Sequence, residues 1–176
     1  KVLLTIHLVK AEFMLAFLRE ANNSQSVIDI FEKLYLELRP DRFSKLMPVL
    51  LADNGTEFSN PSAIELDRQQ NLRTHLFYCD PSAPYQKGSA ERNHEFIRCF
   101  LPKGSSLDSY TQGDISIMMD HINSYCRESL GNKTPYEMMA FLYGKDLLDL
   151  LGCHRIAPNE VTMNPSVFPD KGGTKE

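Results

Sequence analysis

The chain has 176 residues, a formal net charge of −4 and a hydrophobic content of 42%. These values are typical of one globular domain with enough apolar residues for its own core. No apolar run reaches the roughly 20 residues of a membrane-spanning helix, and the acidic balance argues against a domain that binds nucleic acid through its net charge.

Cysteine usage argues against two further classes of protein. The four cysteines are widely spaced and form no C-x-x-C pair; they are Cys79, Cys99, Cys126 and Cys153. This spacing disfavours both a zinc site and a secreted disulfide scaffold. We therefore expect reduced thiols.

The first 40 residues predict a hairpin followed by a helix. Residues 2–9 and 12–19 are mostly apolar and are separated by a short polar turn, which favours two paired strands. Asn23 then predicts a helix N-cap, and apolar residues follow at the i, i+3, i+4 and i+7 spacing of an amphipathic helix. Pro40 is expected to end this helix, because proline disfavours helical geometry in the residue before it.

The middle of the chain predicts two more strands with a short helix between them. Residues 48–52 and 74–79 are the predicted strands. Asn60 followed by Pro61 predicts the start of the short helix, since proline is favoured at the first helical position. Residues 80–88 hold two prolines and a glycine and are predicted to form a loop.

Three helices are predicted in the remaining part of the chain. Ser89 is expected to cap a helix that runs to about Leu101. Apolar residues between Ile115 and Ile122 predict the second helix, and the capping box at residues 134–137 predicts the start of the third.

The predicted order of elements is β-β-α-β-α-β-α-α-α. Strands mixed with helices in this order predict an α/β fold with a mixed sheet flanked by helices. Residues 1–156 are expected to form this domain. Residues 157–176 carry prolines and glycines with few periodic apolar residues, and we expect them to form a C-terminal tail over its surface.

Two acids stand out for their positions. Asp53 follows the third predicted strand and opens the stretch Asp53-Asn-Gly-Thr-Glu-Phe58. Glu91 lies near the start of a predicted helix and ends the stretch Pro84-Tyr-Gln-Lys-Gly-Ser-Ala-Glu91. Ligands of open α/β sheets bind at the carboxyl ends of strands, and carboxylates hold the ions of two-metal phosphoryl transfer. We interpret both acids as metal ligands.

Each acid also has a simpler interpretation, and two other acids compete with them. Asp53 is compatible with the start of a type I′ turn, and an acid such as Glu91 in a first helical turn stabilises the helix dipole. Glu57, four residues after Asp53, is a candidate supporting acid or a surface acid, and it is less favoured as a ligand because the strand end and not the turn should face the metal. Glu95 lies one helical turn after Glu91 and is a candidate support for the site, although exposed helix acids are common.

Polar residues around Glu91 are the candidate DNA contacts. They are Gln86, Lys87, Arg92 and Asn93. Lys and Arg neutralise phosphates, and the amide side chains reach phosphates or bases. A solvated loop and helix end is the alternative interpretation of the same residues.

Together, these stretches resemble the catalytic core of the retroviral-integrase superfamily, the DDE transposases with a ribonuclease-H-like fold. The stretch from Asp53 is similar to the second-Asp signature of that core, and the stretch up to Glu91 is similar to its proline-glycine loop and third-acid helix. Phe100-Leu-Pro-Lys-Gly104 and Leu130-Gly-Asn-Lys-Thr-Pro-Tyr-Glu137 are most like the bacterial insertion-sequence-thirty family. The resemblance covers about residues 1–168.

The resemblance implies a ribonuclease-H-like mixed sheet whose first strand is missing. The family's first Asp lies on a strand that would precede Lys1, and no acid among residues 1–22 replaces it. The family's helix-turn-helix DNA-binding segment would also lie outside this chain. We therefore expect a fragment with two of the three acids, and we expect the chain alone to be inactive.

For the complete protein, the resemblance implies a DNA transposase. Asp53 and Glu91 would be catalytic acids that bind Mg²⁺ (or Mn²⁺), and the partners would be transposon ends and target DNA. A homo-oligomer in the bacterial cytoplasm, associated with the nucleoid and not with a membrane, is implied as well. The alternative is a catalytically dead remnant that acts only as a folding or dimerisation module. A nuclease acting on RNA–DNA hybrids has less support, because the helix start at residues 134–137 resembles transposases.

Overall fold

The computed structural model describes residues 1–80 and 88–168, with side chains described up to residue 80 and from residue 92 onward. In chain order the elements are β1 (Val2–Leu8), β2 (Phe13–Arg19), α1 (Ser24–Leu38), α2 (Pro40–Leu46), β3 (Val49–Ala52), α3 (Pro61–Glu65), β4 (His75–Tyr78), α4 (Gly88–Phe100), α5 (Gln112–Asn123), α6 (Pro135–Tyr143) and α7 (Lys145–Leu150). The predicted α/β class is confirmed.

The chain divides into two compact units. The first unit comprises residues 1–2 and 19–87, and the second comprises residues 3–18 and 88–176. Each has its own small sheet, since β3 pairs with β4 in the first unit and β1 pairs with β2 in the second.

A parallel pair of strands forms the sheet of the first unit. Val49–Ala52 pairs residue for residue with His75–Tyr78. Parallel strands need a crossover connection, and here the connection contains α3. Asn60 caps α3 through its side chain and Pro61 is the first helical residue, as predicted. The parallel arrangement brings the carboxyl ends of β3 and β4 to the same edge.

Helix α1 begins and ends where the sequence predicts. Asn23 caps it by accepting a hydrogen bond from the Ser26 N–H at 2.9 Å. One face is buried, with Val27, Phe31, Leu34 and Leu38. Pro40 follows the end of α1 but is also the first residue of α2, because proline is tolerated at a helix start and not inside a helix. The sequence analysis did not predict α2.

In the second unit, the predicted pairing of the first two strands is confirmed. β1 and β2 are neighbours in a two-stranded sheet and are joined by a 3₁₀ turn over Val9–Ala11. The buried core consists of residues from β2, α4, α5 and the end of the described chain: Met14, Ala16, Ile97, Phe100, Leu101, Ile115, Met118, Met119, Ile122 and Phe168.

Side-chain amides of α5 cover one edge of β2. Asn123 Oδ1 accepts from the Met14 N–H at 3.0 Å, and its Nδ2 donates to the Met14 carbonyl at 2.8 Å. Gln112 makes a similar pair of bonds, to the Leu18 N–H at 2.8 Å and the Ala16 carbonyl at 3.0 Å. These bonds satisfy the backbone of the strand and block its pairing with another strand.

Capping sequences fix the ends of α6. The predicted capping box of Thr134 and Glu137 is present, with each side chain bonded to the backbone N–H of the other residue. Gly144 has φ 90° and ends the helix, as predicted. The short helix α7 follows at once and was not predicted, because its six residues are too few for a clear apolar period.

The described part of the C-terminal segment is bonded to α5. The His154 N–H donates to Asp120 Oδ1 at 2.8 Å, and the Thr162 N–H donates to His121 Nδ1 at 3.1 Å. Phe168 is buried in the core of the second unit. The predicted tail therefore contributes to this core as well as lying over the surface.

No helix in the described part of the chain is long and apolar enough to cross a membrane. The four cysteines are free, which agrees with the expected reduced thiols. Burial raises the pKa of Cys153 to about 12.

Candidate functional site

Asp53 lies at the carboxyl end of β3, at the edge where β4 also ends. Its side chain is exposed, and Oδ1 accepts a hydrogen bond from the Gly55 N–H at 3.3 Å. Asn54 donates from Nδ2 to the Cys79 carbonyl at 3.0 Å and so ties the loop to the residue after β4. Asp53 therefore occupies the strand-end position at which α/β sheets bind ligands.

The type I′ turn considered for Asp53 is wrong. Such a turn needs positive φ at both central residues, which here would be Asn54 and Gly55. Gly55 has φ −66°, and Asn54 is not among the described residues with positive φ. The carboxylate instead closes a local Asx turn onto the backbone.

The Glu57 carboxylate lies over Gly55, close to that of Asp53. A Cβ atom on Gly55 would collide with Glu57 Oε2 and would lie 3.0 Å from Asp53 Oδ1. A side chain at residue 55 would therefore displace the flexible end of Glu57 from this space. Two carboxylates that face the same space are suited to a cation, so Glu57 stays an open candidate for a supporting acid.

Glu91 lies in the first turn of α4, which begins at Gly88, one residue before the predicted cap at Ser89. The side chain of Glu91 lies outside the described residues, as do Gln86 and Lys87 entirely. Their predicted roles in metal and DNA binding therefore stay predictions.

The remaining predicted DNA contacts differ in exposure. Arg92 is exposed, as is Glu95 one turn after Glu91. Asn93, by contrast, is only 4% exposed. It precedes the core residue Ile97 by four positions, and residues four apart lie on the same face of a helix. The sequence spacing therefore already indicates that Asn93 faces inward. Its position favours a role inside the second unit over the predicted contact with DNA.

Asn93 and its neighbour connect α4 to β1. Asn93 Nδ2 donates to His7 Nε2 at 2.9 Å, and Asn93 Oδ1 lies 3.5 Å from Arg127 Nη2. On the next residue, His94 Nε2 is hydrogen-bonded to Thr5 Oγ1 at 2.9 Å. Alternate residues of a strand point to the same face, so one face of β1 holds two successive residues of α4.

Burial controls the electrostatics of this network. It is the largest cause of the lowered pKa values of both His7 and Arg127, and the Glu12 carboxylate opposes it in each case. Since Asn93 donates to Nε2, neutral His7 carries its proton on Nδ1. That atom is buried and has no hydrogen-bond partner in the described part of the chain.

Sequence reasoning missed His7 and Arg127. The histidines are scattered without metal-binding spacing, and an arginine in a loop is ordinarily exposed. The network also joins residues that lie 86 positions apart, as for His7 and Asn93, and 34 positions apart, as for Asn93 and Arg127. No local pattern marks such contacts.

The resemblance implies a divalent cation, and the donors around Asp53 are of the right kind. Asp53 and Glu57 supply carboxylate oxygens that converge over Gly55, and Mg²⁺ prefers oxygen ligands. Within the described residues, however, no group of three or more His, Cys, Asp or Glu side chains is arranged to hold a metal ion. A complete site needs a further ligand, for which Glu91 is the candidate from the sequence.

Comparison with known proteins finds bacterial transposases. The chain is 30% identical over 95 residues to the transposase for insertion sequence element IS1086 of Cupriavidus metallidurans, a match that covers 54% of this chain and 27% of that protein. It is 29% identical over 116 residues to transposase InsI for insertion sequence element IS30A of Escherichia coli, a match that covers 66% of this chain and 27% of that protein. The chain is a relative of insertion-sequence transposases of the IS30 type.

A third relative is the transposase for insertion sequence element IS4351 of Bacteroides fragilis, 29% identical over 96 residues, which are 54% of this chain and 28% of that protein. The predicted resemblance to the insertion-sequence-thirty family is thereby confirmed. The matches span about a quarter of the length of these relatives. No family profile matches the chain.

Proposed function

We propose that this chain is part of the catalytic core of a DNA transposase with a ribonuclease-H-like fold, which cleaves DNA at transposon ends and joins it to a target. The observation that carries the proposal is the similarity to IS30-type transposases, combined with the position of Asp53 at the carboxyl end of β3. The order of elements, with two strands before the first helix and parallel strands after it, supports the fold assignment.

Asp53 and Glu91 are the proposed metal ligands. Bound Mg²⁺ (or Mn²⁺) supplies a Lewis acid that polarises the scissile phosphodiester and activates a water or 3′-hydroxyl. Asn54 keeps the Asp53 loop attached to the end of β4, which limits the movement of the carboxylate. Glu57 is the proposed supporting acid, since its carboxylate faces the same space over Gly55.

Arg92 is the proposed phosphate contact among the described residues, because it is exposed and directly follows Glu91. Lys87 and Gln86 are proposed to extend this contact. The net charge of −4 means that DNA binding depends on such local contacts and falls with increasing salt. For the complete protein we propose a homo-oligomer in the bacterial cytoplasm.

The test is a strand-transfer assay with labelled terminal-repeat DNA and Mg²⁺, using the full-length protein that contains this chain. Asp53→Asn and Glu91→Gln are each expected to lower the rate by about 10²–10³-fold, because each removes a negative charge that would hold the divalent ion. Glu128→Gln, at an exposed acid of the second unit, is the control. Full activity of Glu91→Gln with loss in Glu57→Gln or Glu95→Gln would show that the acid is misassigned.

The second candidate is a catalytically dead remnant that serves as a folding or dimerisation module. It predicts that the full-length protein forms its oligomer in size-exclusion chromatography but processes no DNA, with or without Mg²⁺. The transposase proposal predicts DNA processing that stops when the metal is chelated.

A further inference from the structure

Arg127 is a buried cation with an incomplete set of partners. Arg127 is only 6% exposed. Nη2 donates to the Ile122 carbonyl at 3.2 Å and makes a longer contact of 3.5 Å with Asn93 Oδ1. Nε and Nη1 are buried, and neither has a hydrogen-bond partner within residues 1–80 and 92–168.

Aromatic rings surround the guanidinium group. Its central carbon lies 3.7 Å from the centroid of the Phe96 ring and 5.4 Å from that of Tyr125. A cation over an aromatic face is attracted by the ring quadrupole, more strongly when water is excluded. Phe96 and Asn93 are three residues apart on α4 and therefore neighbours on one face, so Arg127 contacts this helix at two adjacent positions.

The backbone of Arg127 is fixed by the turn after α5. Its N–H donates to the Lys133 carbonyl at 3.0 Å, and its carbonyl accepts from the N–H groups of Leu130 at 3.1 Å and Asn132 at 2.9 Å. A side chain that extends from a fixed backbone and contacts one helix at two points resists movement of that helix.

Burying the Arg127 cation in this way is unfavourable in free energy if the contact serves only to stabilise the fold. A buried cation whose N–H groups lack acceptors loses hydration without full compensation, whereas an apolar side chain of similar length would not. Each such group in a folded protein calls for an explanation. The explanation here is the helix that Arg127 contacts, because α4 carries Glu91 two residues before Asn93.

We propose that Arg127 is a positioning residue, which holds the first turns of α4 through Asn93 and Phe96 and thereby fixes the part of the helix that carries Glu91. The inference rests on the proposed role of Glu91 as a metal ligand. It also makes a claim about α4 that is measurable without any activity.

The first test is amide hydrogen exchange in the full-length protein with Arg127→Met, which keeps an apolar side chain of similar length. Exchange of the amides of residues 92–96 is expected to increase at least about tenfold, because local opening of α4 becomes easier, while amides of α6 keep their rates. Arg155→Met is the control, since Arg155 is half exposed and pairs with Glu137 on α6. Unchanged exchange at residues 92–96 would overturn the inference.

The second test is kinetic and separates positioning from DNA binding. In Arg127→Met the strand-transfer rate constant at saturating DNA is expected to fall about 10- to 100-fold, with the Kd for DNA within about twofold, because a misplaced ligand slows the reaction without removing a phosphate contact. Arg127→Lys retains a cation against Phe96 and is expected to restore part of the rate. A loss confined to DNA affinity, or an unchanged rate, would contradict positioning.

Coupling between the two contacts completes the design. Asn93→Leu is expected to raise amide exchange in α4 as Arg127→Met does. The double variant is expected to exchange no faster than the faster of the two single variants, because both substitutions disrupt the same network. Strictly additive losses would overturn the shared network. Failure of the proposed function shows separately, as full activity of Glu91→Gln, whereas failure of the inference shows as unchanged exchange in α4.

Discussion

Arg73 in the first unit and Arg127 in the second are both buried, but in opposite surroundings. In the first unit the Arg73 side chain is fully buried, and every guanidinium nitrogen has a partner: Nε donates to the Ile64 carbonyl at 2.8 Å, Nη1 to Glu32 Oε1 at 2.7 Å and Nη2 to the Ala63 carbonyl at 2.9 Å. In the second unit Arg127 has two nitrogens without a partner in the described part of the chain.

This difference in hydrogen bonding separates a buried charge that stabilises the fold from one for which we propose another role. Arg73 joins α1, α3 and the segment before β4 through bonds that compensate for its desolvation. Arg127 has only part of that compensation within residues 1–80 and 92–168, and it contacts the helix that carries Glu91. Burial alone therefore does not show whether the guanidinium group of an arginine has its hydrogen bonds satisfied, and each nitrogen has to be followed to its partner.

Replacing Arg73 should have the largest effect on stability. Arg73→Leu is expected to lower the free energy of unfolding by about 3–5 kcal/mol, because it leaves the mostly buried Glu32 carboxylate without its inner partner. Denaturant unfolding of the full-length protein measures this loss. Arg68→Leu is the matched control, since Arg68 pairs with the same carboxylate at 2.9 Å but is 80% exposed, and its loss is expected to be below about 1 kcal/mol. Equal losses would contradict the comparison.

Replacing Asn123 tests whether the second unit tolerates the loss of buried hydrogen bonds in general. Asn123→Leu leaves the Met14 N–H and carbonyl buried without their partner, and it is expected to cost about 1–3 kcal/mol of unfolding free energy. Gln112→Leu is the control, because Gln112 bonds to the same strand but is itself exposed, so water replaces the lost bonds. A negligible effect of Asn123→Leu would show that this unit as a whole, and not Arg127 alone, tolerates such losses.

Arg127→Met should change stability less than either replacement. The variant removes a buried cation together with the N–H groups that find no partner among the described side chains, so the unfolding free energy is expected to stay within about 1 kcal/mol of the wild type. The same denaturant titration measures it. A loss as large as that of Arg73→Leu would make Arg127 a structural residue and remove the contrast between the units.

The smallest expected effect is the pH dependence that His7 contributes. Burial lowers the pKa of His7 below its ordinary value of 6.5, with Glu12 opposing and with His94 and Arg127 adding to the shift. The unfolded chain therefore binds a proton that the folded chain does not, and the stability that neutral His7 provides above pH 6.5 is lost as the pH falls below that value.

Unfolding titrations between pH 8 and pH 5 measure this effect. His7→Gln is expected to reduce the loss of stability on acidification, because Gln keeps an acceptor for Asn93 without binding a proton. His75→Gln, at an exposed residue of β4, is the control and is expected to keep the wild-type pH dependence. An identical pH dependence in His7→Gln would contradict the interpretation of the network.

Much of the fold is predictable from the sequence because its signals are local. The cap at Asn23 and the capping box at residues 134–137 fix helix starts within four residues of sequence. Helix α2 is missed because Pro40 is interpreted only as the end of a helix, although proline also begins helices. Asp53 is placed correctly, since an apolar run followed by Asp-Asn-Gly indicates the end of a strand.

The candidate site is less predictable because its contacts are long-range. The sequence predicts that Asn93 contacts DNA because it lies close to Glu91 in the chain. In the structure, the packing of α4 turns the Asn93 side chain inward, toward His7 and Arg127. Neither partner lies near it in sequence. The partners of a buried polar group depend on how elements pack, which residue spacing within one element does not specify.

The most direct test of the proposal that Asp53 and Glu91 are both metal ligands is iron-mediated backbone cleavage. In the full-length protein, Fe²⁺ replaces Mg²⁺ and reduces added hydrogen peroxide to hydroxide and a hydroxyl radical, which cuts the backbone close to the bound ion, while ascorbate returns Fe³⁺ to Fe²⁺. We predict cuts next to both residue 53 and residue 91, and we predict that Asp53→Asn or Glu91→Gln alone removes both sets. Cuts at only one of the two positions, or cuts that persist in both variants, would contradict the account.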